Sequence, residues 1–318
     1  MITQRRLQHL LALVEHAHFG RAAKALNISQ PALTKSIQAL ESELDVTLID
    51  RKHGALALTV FGELVVRRSK DILAADDELR RDIALLAGHE IGLVRVALGP
   101  YPSVHSGYVS IARLLTRHPK INVNVHVAGW REVTRQVTSR AVDLGIAEIG
   151  DLEENAEVAT ELIGQHRGHV CCRPGHPLLA YDRPSLPQLL EFPWVATRIP
   201  ARLARNLPGS LGAAGTIDPQ NGDFVPAIEI DVPMQLGVFL ASSDALVFAS
   251  LTMIAAELEA GKAAVLPVNG LNFRTNYGFI YLKNRSLAPA TLAYMREVRA
   301  VEAEIVSRET ALASQLGF

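Results

Sequence analysis

The chain has 318 residues, 48% of them hydrophobic and 20% charged, with a formal net charge of −1. At about 150 residues per domain this allows roughly two domains with real cores and excludes disorder as the main state. No stretch approaches the ~18 uninterrupted apolar residues of a membrane span. The apolar run after Arg5 and Arg6 stops at Glu15, and the two cysteines, Cys171 and Cys172, are adjacent. A secretory signal and a disulfide framework are therefore not expected, and the reduced cytoplasm is the expected compartment. Charge is unevenly spread: residues 1–70 hold ten Lys/Arg against six Asp/Glu, the remainder 22 against 27. A basic head on an acidic body raises the question of nucleic acid.

Leu7, Leu10, Leu11 and Val14 repeat at i, i+3, i+4, i+7, and Phe19, Ala22, Ala23 and Leu26 do the same. This spacing predicts two helices. Asn27-Ile28-Ser29 has turn chemistry, Ser29 is a good N-cap, and Pro31 suits a first helical turn. A third helix to about Glu43 follows, with Leu33, Ile37, Leu40 and Leu44 inward. Its other face carries Gln30, Pro31, Thr34, Lys35 and Gln38, with no acid among them. Two short helices joined by a tight turn form a helix-turn-helix, whose second helix can enter a major groove. Val46 to Ile49 and Ala55 to Thr59 read as short strands around a basic tip, Arg51-Lys52-His53-Gly54. Such a hairpin is a wing that can lie on a DNA backbone.

These residues resemble a known family. Arg21 to Leu26, Ser29 to Thr34, Leu40 to Leu44 and Leu58 to Gly62 are similar, in order and spacing, to the N-terminal domain of LysR-type transcriptional regulators. The resemblance implies that Gln30, Pro31, Thr34 and Lys35 face the major groove and that Arg51, Lys52 and His53 serve the wing. Three departures are evident: Asp45 stands where glycine is usual, Gly20 where a Ser or Thr cap is common, and Ile49-Asp50 in place of Phe and a charged residue.

From Thr59 to about Gly88 no proline occurs, which predicts a long helix. Val65, Ile72, Leu79 and Leu86 are spaced by seven along it, flanked by charges. That stripe suggests pairing of two helices. The resemblance implies the same: a dimerising linker and commonly a tetramer.

Beyond residue 90 the pattern alternates. Leu93–Leu98, Ile121–Val127 and Leu144–Ala147 read as strands, with helices between them over Tyr108–Arg117 and Trp130–Arg140. This is a parallel sheet with covering helices. Strands restart at Gly168–Cys172, Trp194–Ala196, Ala227–Val232 and Leu246–Phe248. Phe279–Leu282 and a helix from about Pro289 close the chain. The whole resembles the family's effector-binding domain, two α/β lobes like a periplasmic binding protein. The expected divisions are 1–59 for the winged helix-turn-helix, 60–89 for the linker, and 90–318 for the effector domain. Within that domain, lobe I is about 90–163 and 268–318, and lobe II about 164–267.

Ligands of such sheets bind beyond the strand C-termini. The loops there offer Tyr101, Ser103, Trp130, Arg131, Thr197, Arg198 and Ser250. Two arginines with hydroxyls suit a carboxylate or another small anion. His166, His169, Cys171, Cys172 and His176 cluster in sequence, but strand alternation separates them, so neither a metal site nor a cofactor is expected. Gly209, Gly212 and Gly215 do not follow a strand and read as a mobile loop rather than a dinucleotide fingerprint. The expected partners are double-stranded DNA, a small-molecule effector, further copies of the chain and RNA polymerase, with no membrane and no enzymatic activity. The competing reading is a binding protein or enzyme built on the α/β body.

Overall fold

The computed structural model describes residues 2–50, 56–86, 92–152, 155–205, 207–231, 236–268, 271 and 273–317, without the side chains of 77, 78, 80–82 and 84–86. The chain divides into two compact units, Met1–His89 and Glu90–Phe318.

The first unit begins with three helices, α1 (Gln4–His16), α2 (Phe19–Ala25) and α3 (Gln30–Leu44). Leu7, Leu10, Leu13, Ala22, Ala23, Leu33, Ile37 and Leu40 meet in one core. The caps explain the helix limits. The His18 imidazole, not Gly20, opens α2 by accepting from the Gly20 amide at 3.0 Å. Ser29 Oγ accepts from the Ala32 amide at the start of α3. Asp45 ends α3 in the left-handed region, at φ 52°, the conformation that makes glycine the common residue at such an end. The short strands β1 (Ile49–Asp50) and β2 (Ala57–Leu58) pair antiparallel, Ile49 opposite Leu58. They are shorter than the sequence predicts, and the wing tip lies outside the described residues. Thr59 then caps α4 (Val60–Leu86) by accepting from the Gly62 amide at 3.0 Å. A Cβ on Gly62 would sit 2.2 Å from the Leu48 carbonyl oxygen, so only glycine fits under the hairpin.

The second unit runs β3 (Leu93–Leu98), α5 (Pro100–Val104), α6 (Ser106–Arg117), β4 (Asn122–Val127), α7 (Trp130–Thr138), β5 (Leu144–Glu148), β6 (Val158–Arg167) and β7 (His169–Cys172). It continues through α8 (Leu186–Leu189), β8 (Trp194–Ala196), α9 (Ala201–Ala204), β9 (Gly215–Ile217), β10 (Phe224–Pro226), β11 (Ile228–Glu229), α10 (Leu236–Ser242) and β12 (Leu246–Ala249). It closes with α11 (Ala255–Glu259), β13 (Ala264–Val265), β14 (Arg274–Leu282) and α12 (Pro289–Leu316).

Two five-stranded sheets result, in the orders β4-β3-β5-β14-β6 and β11-β8-β12-β7-β13. In each, four strands run in one direction and the fourth in order, β14 or β7, runs against them. The central strands are covered on both faces and read as near-continuous apolar runs, whereas the edge strand β4 alternates exposed and half-buried residues. Val94, Val96 and Leu98 pack towards Tyr294 and Val298 of α12, while Ala97 packs towards Val133 and Val137 of α7. Cys171 and Cys172 fall into different cores, on opposite faces of the second sheet.

Three differences from the sequence reading matter. Strand β6 is absent from it, and carries lobe I to Arg167 instead of about 163. The chain leaves the second sheet later than residue 268, since Leu271 and Phe273 still belong to its core and lobe I resumes at Arg274. The glycines at 209–215 are not simply a mobile loop. Gly212, at φ +53°, lies against the Leu190 carbonyl, and Gly215 starts β9, which pairs with β10.

Candidate functional sites

The reading helix presents Gln30, Pro31, Lys35 and Gln38 as exposed residues. Thr34 is half-buried, and its hydroxyl donates to the Gln30 carbonyl at 3.0 Å. The acids of α3 lie in its last turns and are engaged there. Glu41 accepts from the Leu48 and Ile49 amides at 2.8 and 3.1 Å, and Glu43 pairs with Arg6. The face is therefore free of the carboxylates that would repel phosphates. Arg51, Lys52 and His53 lie outside the described residues.

Along α4 the seven-residue stripe divides. Val65 is half-buried against the core of its own unit, together with Val66 and Leu73. Its side chain is thus shared with the local core. Ile72 and Leu79 are 49% and 58% exposed, as are Phe61, Leu64 and Ile83 to similar degrees. Spaced by three, four or seven or nearly so, these residues outline an apolar seam on the solvent side. The Leu86 side chain lies outside the described residues.

In the second unit, a cleft separates the two sheets. It holds two adjoining cavities, the larger about 270 Å³. Tyr101, Thr197, Arg198, Pro200, Ile230 and Thr275 line both. The inner one is completed largely by Ile199, Leu203, Phe248, Met253 and Phe273, with Ser250 at its wall. The outer one adds Trp130, Arg131, Glu132, Glu148, Glu229 and Asp231. Six of the seven expected effector residues therefore meet here. Ser103 does not: it is buried, and its hydroxyl donates to the Pro100 carbonyl at 2.6 Å.

The two arginines are not the free anion ligands expected. Arg131 makes two hydrogen bonds of 3.0 Å to the fully buried Asp223. Arg198 donates to Asp218 at 2.8 Å and to Glu229 at 3.0 Å. These carboxylates are 20 to 92 residues away, which is why loop composition did not show them. Several ion pairs cross between lobes, among them Arg131 with Asp223, Arg202 with Glu148 at 2.5 Å, and Arg308 with Glu259 at 3.4 Å. Burial pushes the Glu148 carboxyl up, opposed by the Gly150 amide and Arg202.

Behind the cleft lies a buried polar network that sequence reasoning missed. Tyr277 donates to Glu302, His166 Nε2 bonds the same carboxylate, and Ser106 reaches the Tyr277 hydroxyl at 2.5 Å. His105 stacks on His166 with ring centroids 5.7 Å apart. His105 Nε2 meets Ser250 Oγ at 3.1 Å, Ser250 meets the Thr252 hydroxyl, and Thr252 donates to Glu309 of α12 at 2.6 Å. This chain of hydrogen bonds joins lobe I to lobe II through α12. Its members are scattered over the sequence, and only folding assembles them. Burial, with Glu309 next, raises the Tyr101 hydroxyl well above its usual pKa. Cys171 and Cys172 are free and buried, and burial likewise raises both thiols, Cys172 to about 11. His176 caps the turn at Pro177–Ala180 by accepting from the Leu178 amide. Among the described residues no three His, Cys, Asp or Glu side chains converge as metal ligands, and no helix is long and apolar enough to cross a membrane.

A helix-turn-helix with a carboxylate-free reading face, followed by a two-lobed α/β body with a cleft, defines a DNA-binding transcriptional regulator with an effector-binding domain. Known proteins agree. Residues 4–63 match the bacterial regulatory helix-turn-helix of the lysR family, and residues 87–303 match the LysR substrate binding domain. The SDS degradation transcriptional activation protein of Pseudomonas sp. (strain ATCC 19151) is 35% identical over 91% of this chain and 93% of its own. The HTH-type transcriptional regulator GbpR of Azospirillum brasilense is 27% identical over 93% of this chain and 85% of its own. The crystal structure of CbnR, a LysR family transcriptional regulator, superposes with a TM-score of 0.62 at 18% identity, covering 95% of this chain and 99% of the other. The chain belongs to the LysR family of transcriptional regulators, and its relatives are named as regulators, not as enzymes.

Proposed function

We propose that two or four copies of this chain bind an operator through paired α3 helices, and that an effector between the lobes alters how the DNA-binding units are presented. The observation that carries DNA reading is the α3 face, where Gln30, Pro31, Lys35 and Gln38 are exposed and no carboxylate intrudes. Arg51, Lys52 and His53 would add wing contacts to the phosphates. The seam of Ile72 and Leu79 would join protomers, and binding would shift the equilibrium between oligomer shapes. RNA polymerase is the expected downstream partner, and the cytoplasm the expected location. The name of the 35% identical relative speaks of transcriptional activation; we extend that sign of control to this chain.

The effector is read as a small molecule held by Tyr101, Trp130, Arg131, Thr197, Arg198 and Ser250. The carboxylate or other small anion that two arginines suggest from the sequence would first have to displace Asp223 from Arg131, or Asp218 and Glu229 from Arg198, which counts against that class.

The DNA reading is tested by titrating the full chain on operator and on unrelated duplex at several salt concentrations. Lys35→Ala is expected to cost about 1–3 kcal/mol at the operator alone if Lys35 holds a base edge. If it holds a phosphate, all sequences weaken alike and the salt slope falls by about one. Thr34→Ala should relax specificity without changing the slope. A triple Gln30, Thr34 and Lys35 to Ala variant with unchanged affinity, specificity and slope would remove α3 from the reading role.

A further inference from the structure

With the cleft taken as the effector site, the different chemistry of its two cavities bears on the class of effector. The inner chamber is walled by Leu203, Ile230, Phe248, Met253 and Phe273. Each ligand methylene buried there gains roughly three- to fourfold in affinity. The outer chamber is lined by four carboxylates, Glu132, Glu148, Glu229 and Asp231, and two guanidiniums, Arg131 and Arg198; with their ion-pair partners Asp218, Asp223, Arg135 and Arg202, six carboxylates face four guanidiniums.

Both guanidiniums already face carboxylates, Arg131 the buried Asp223 and Arg198 the pair Asp218 and Glu229. An anionic head would enter against surplus negative charge and would have to break an existing ion pair. A donor head meets acceptors instead. At the junction of the chambers, the buried Tyr101 hydroxyl has no well-formed hydrogen bond. Its neighbour Ser250 is engaged by His105 and Thr252. A buried polar atom left unsatisfied is costly, which marks it as a point of ligand contact.

We infer that the effector is an amphiphile without negative charge: an apolar chain or ring in the inner chamber, and a hydrogen-bond-donating head, hydroxyl or amine, between Tyr101 and the carboxylates of the outer one. A small hydrophilic acid would leave the inner walls uncovered and oppose the outer charge.

Titration calorimetry on the full chain with probes of one chain length tests this. The set is 1-octanol, octylamine, octanoate and octyl sulfate, with 1-hexanol as the shorter homologue. The alcohol and amine are expected to bind at least tenfold more tightly than the two anions. Shortening to 1-hexanol should weaken binding about tenfold, as two methylenes are lost. Met253→Gln, nearly equal in volume, should weaken 1-octanol by a similar factor while circular dichroism stays unchanged. Tighter binding of octanoate or octyl sulfate overturns the inference, as does 1-octanol affinity indifferent to chain length or to Met253→Gln. If none of these probes binds, but succinate binds and Arg198→Ala abolishes it, the amphiphile is wrong and the cleft remains the effector site. Binding of any probe that survives both Met253→Gln and Arg198→Ala overturns the inference together with the cleft reading.

Discussion

His105 shows how one residue ties chemistry to stability. It is buried between Tyr101, His166 and Ser250. Its pKa is pushed down to about 4, first by burial, then by His166, with Glu302 opposing. An imidazole in an unfolded chain titrates near 6.5. Between those values the unfolded chain binds a proton that the folded chain refuses, so stability rises with pH. Lowering the pH from about 6.5 to about 4 is expected to remove on the order of 3 kcal/mol. The lowered pKa of His169 acts in the same direction. Urea melts across that window should show a shallower slope in His105→Gln; an unchanged slope would assign the effect to other groups. At this scale the sequence is legible only in part. Arg131 and Arg198 could be singled out as cleft residues because arginines in strand-end loops are visible in a string of letters. Their neutralising partners, Asp223, Asp218 and Glu229, arrive from other turns of the chain. The charge of the cleft was therefore the least readable of its properties.

Single elements were legible where one local signal dominates. Ser29, Pro31 and the spacing of Leu33, Ile37 and Leu40 mark α3 without ambiguity, and the structure starts it at Gln30. Strand β6 was not legible. Its alternation is interrupted by Gly164, whose added Cβ would meet Glu302 at 2.6 Å, and its pairing with β14 shifts register at Tyr277/Gly278. Neither constraint can be read without the partner element. Helix α4 falls between these cases: periodicity gave the helix, but not which side the local core would claim. Ser69 and Ala74 mark the inner side, while Ile72, Leu79 and Ile83 remain outside. Leu79→Asp is accordingly the informative change. A charge buried in a helix–helix seam costs several kcal/mol, about 3–5 where it stays unpaired, whereas on a solvated helix it costs little. Light scattering should show this variant dissociating into smaller species, with unchanged helix content by circular dichroism. An unaltered oligomer would take the seam out of the assembly.

Over the whole effector domain, the connections between lobes decide how it responds. The chain passes between the sheets at Arg167–His169 and again between Phe273 and Arg274, where neighbouring strands change sheet. Two backbone crossings side by side form a narrow hinge, and such closures respond to small free energies. Around that hinge, Arg131 with Asp223 and Arg202 with Glu148 span the cleft, and Glu309 of α12 accepts from the Leu251 and Thr252 amides at 3.0 and 3.2 Å. The two ion pairs differ in what removal leaves behind. Asp223 is wholly buried and also accepts from the Ala201 amide, so it cannot simply turn to water. Arg131→Ala strands that carboxylate, and breaking one side of such a pair costs about 3–5 kcal/mol. Asp223→Asn keeps the Ala201 contact and removes the charge, so its cost should be smaller, about 1–2 kcal/mol. The expected result in chemical denaturation of the effector domain transition is therefore Arg131→Ala well below Asp223→Asn, with wild type highest. The double variant should lie near Asp223→Asn, since the unpaired charge is then gone. Additive losses in the double variant would mean that Arg131 and Asp223 stabilise the domain separately, and the pair could not serve as a link between the lobes.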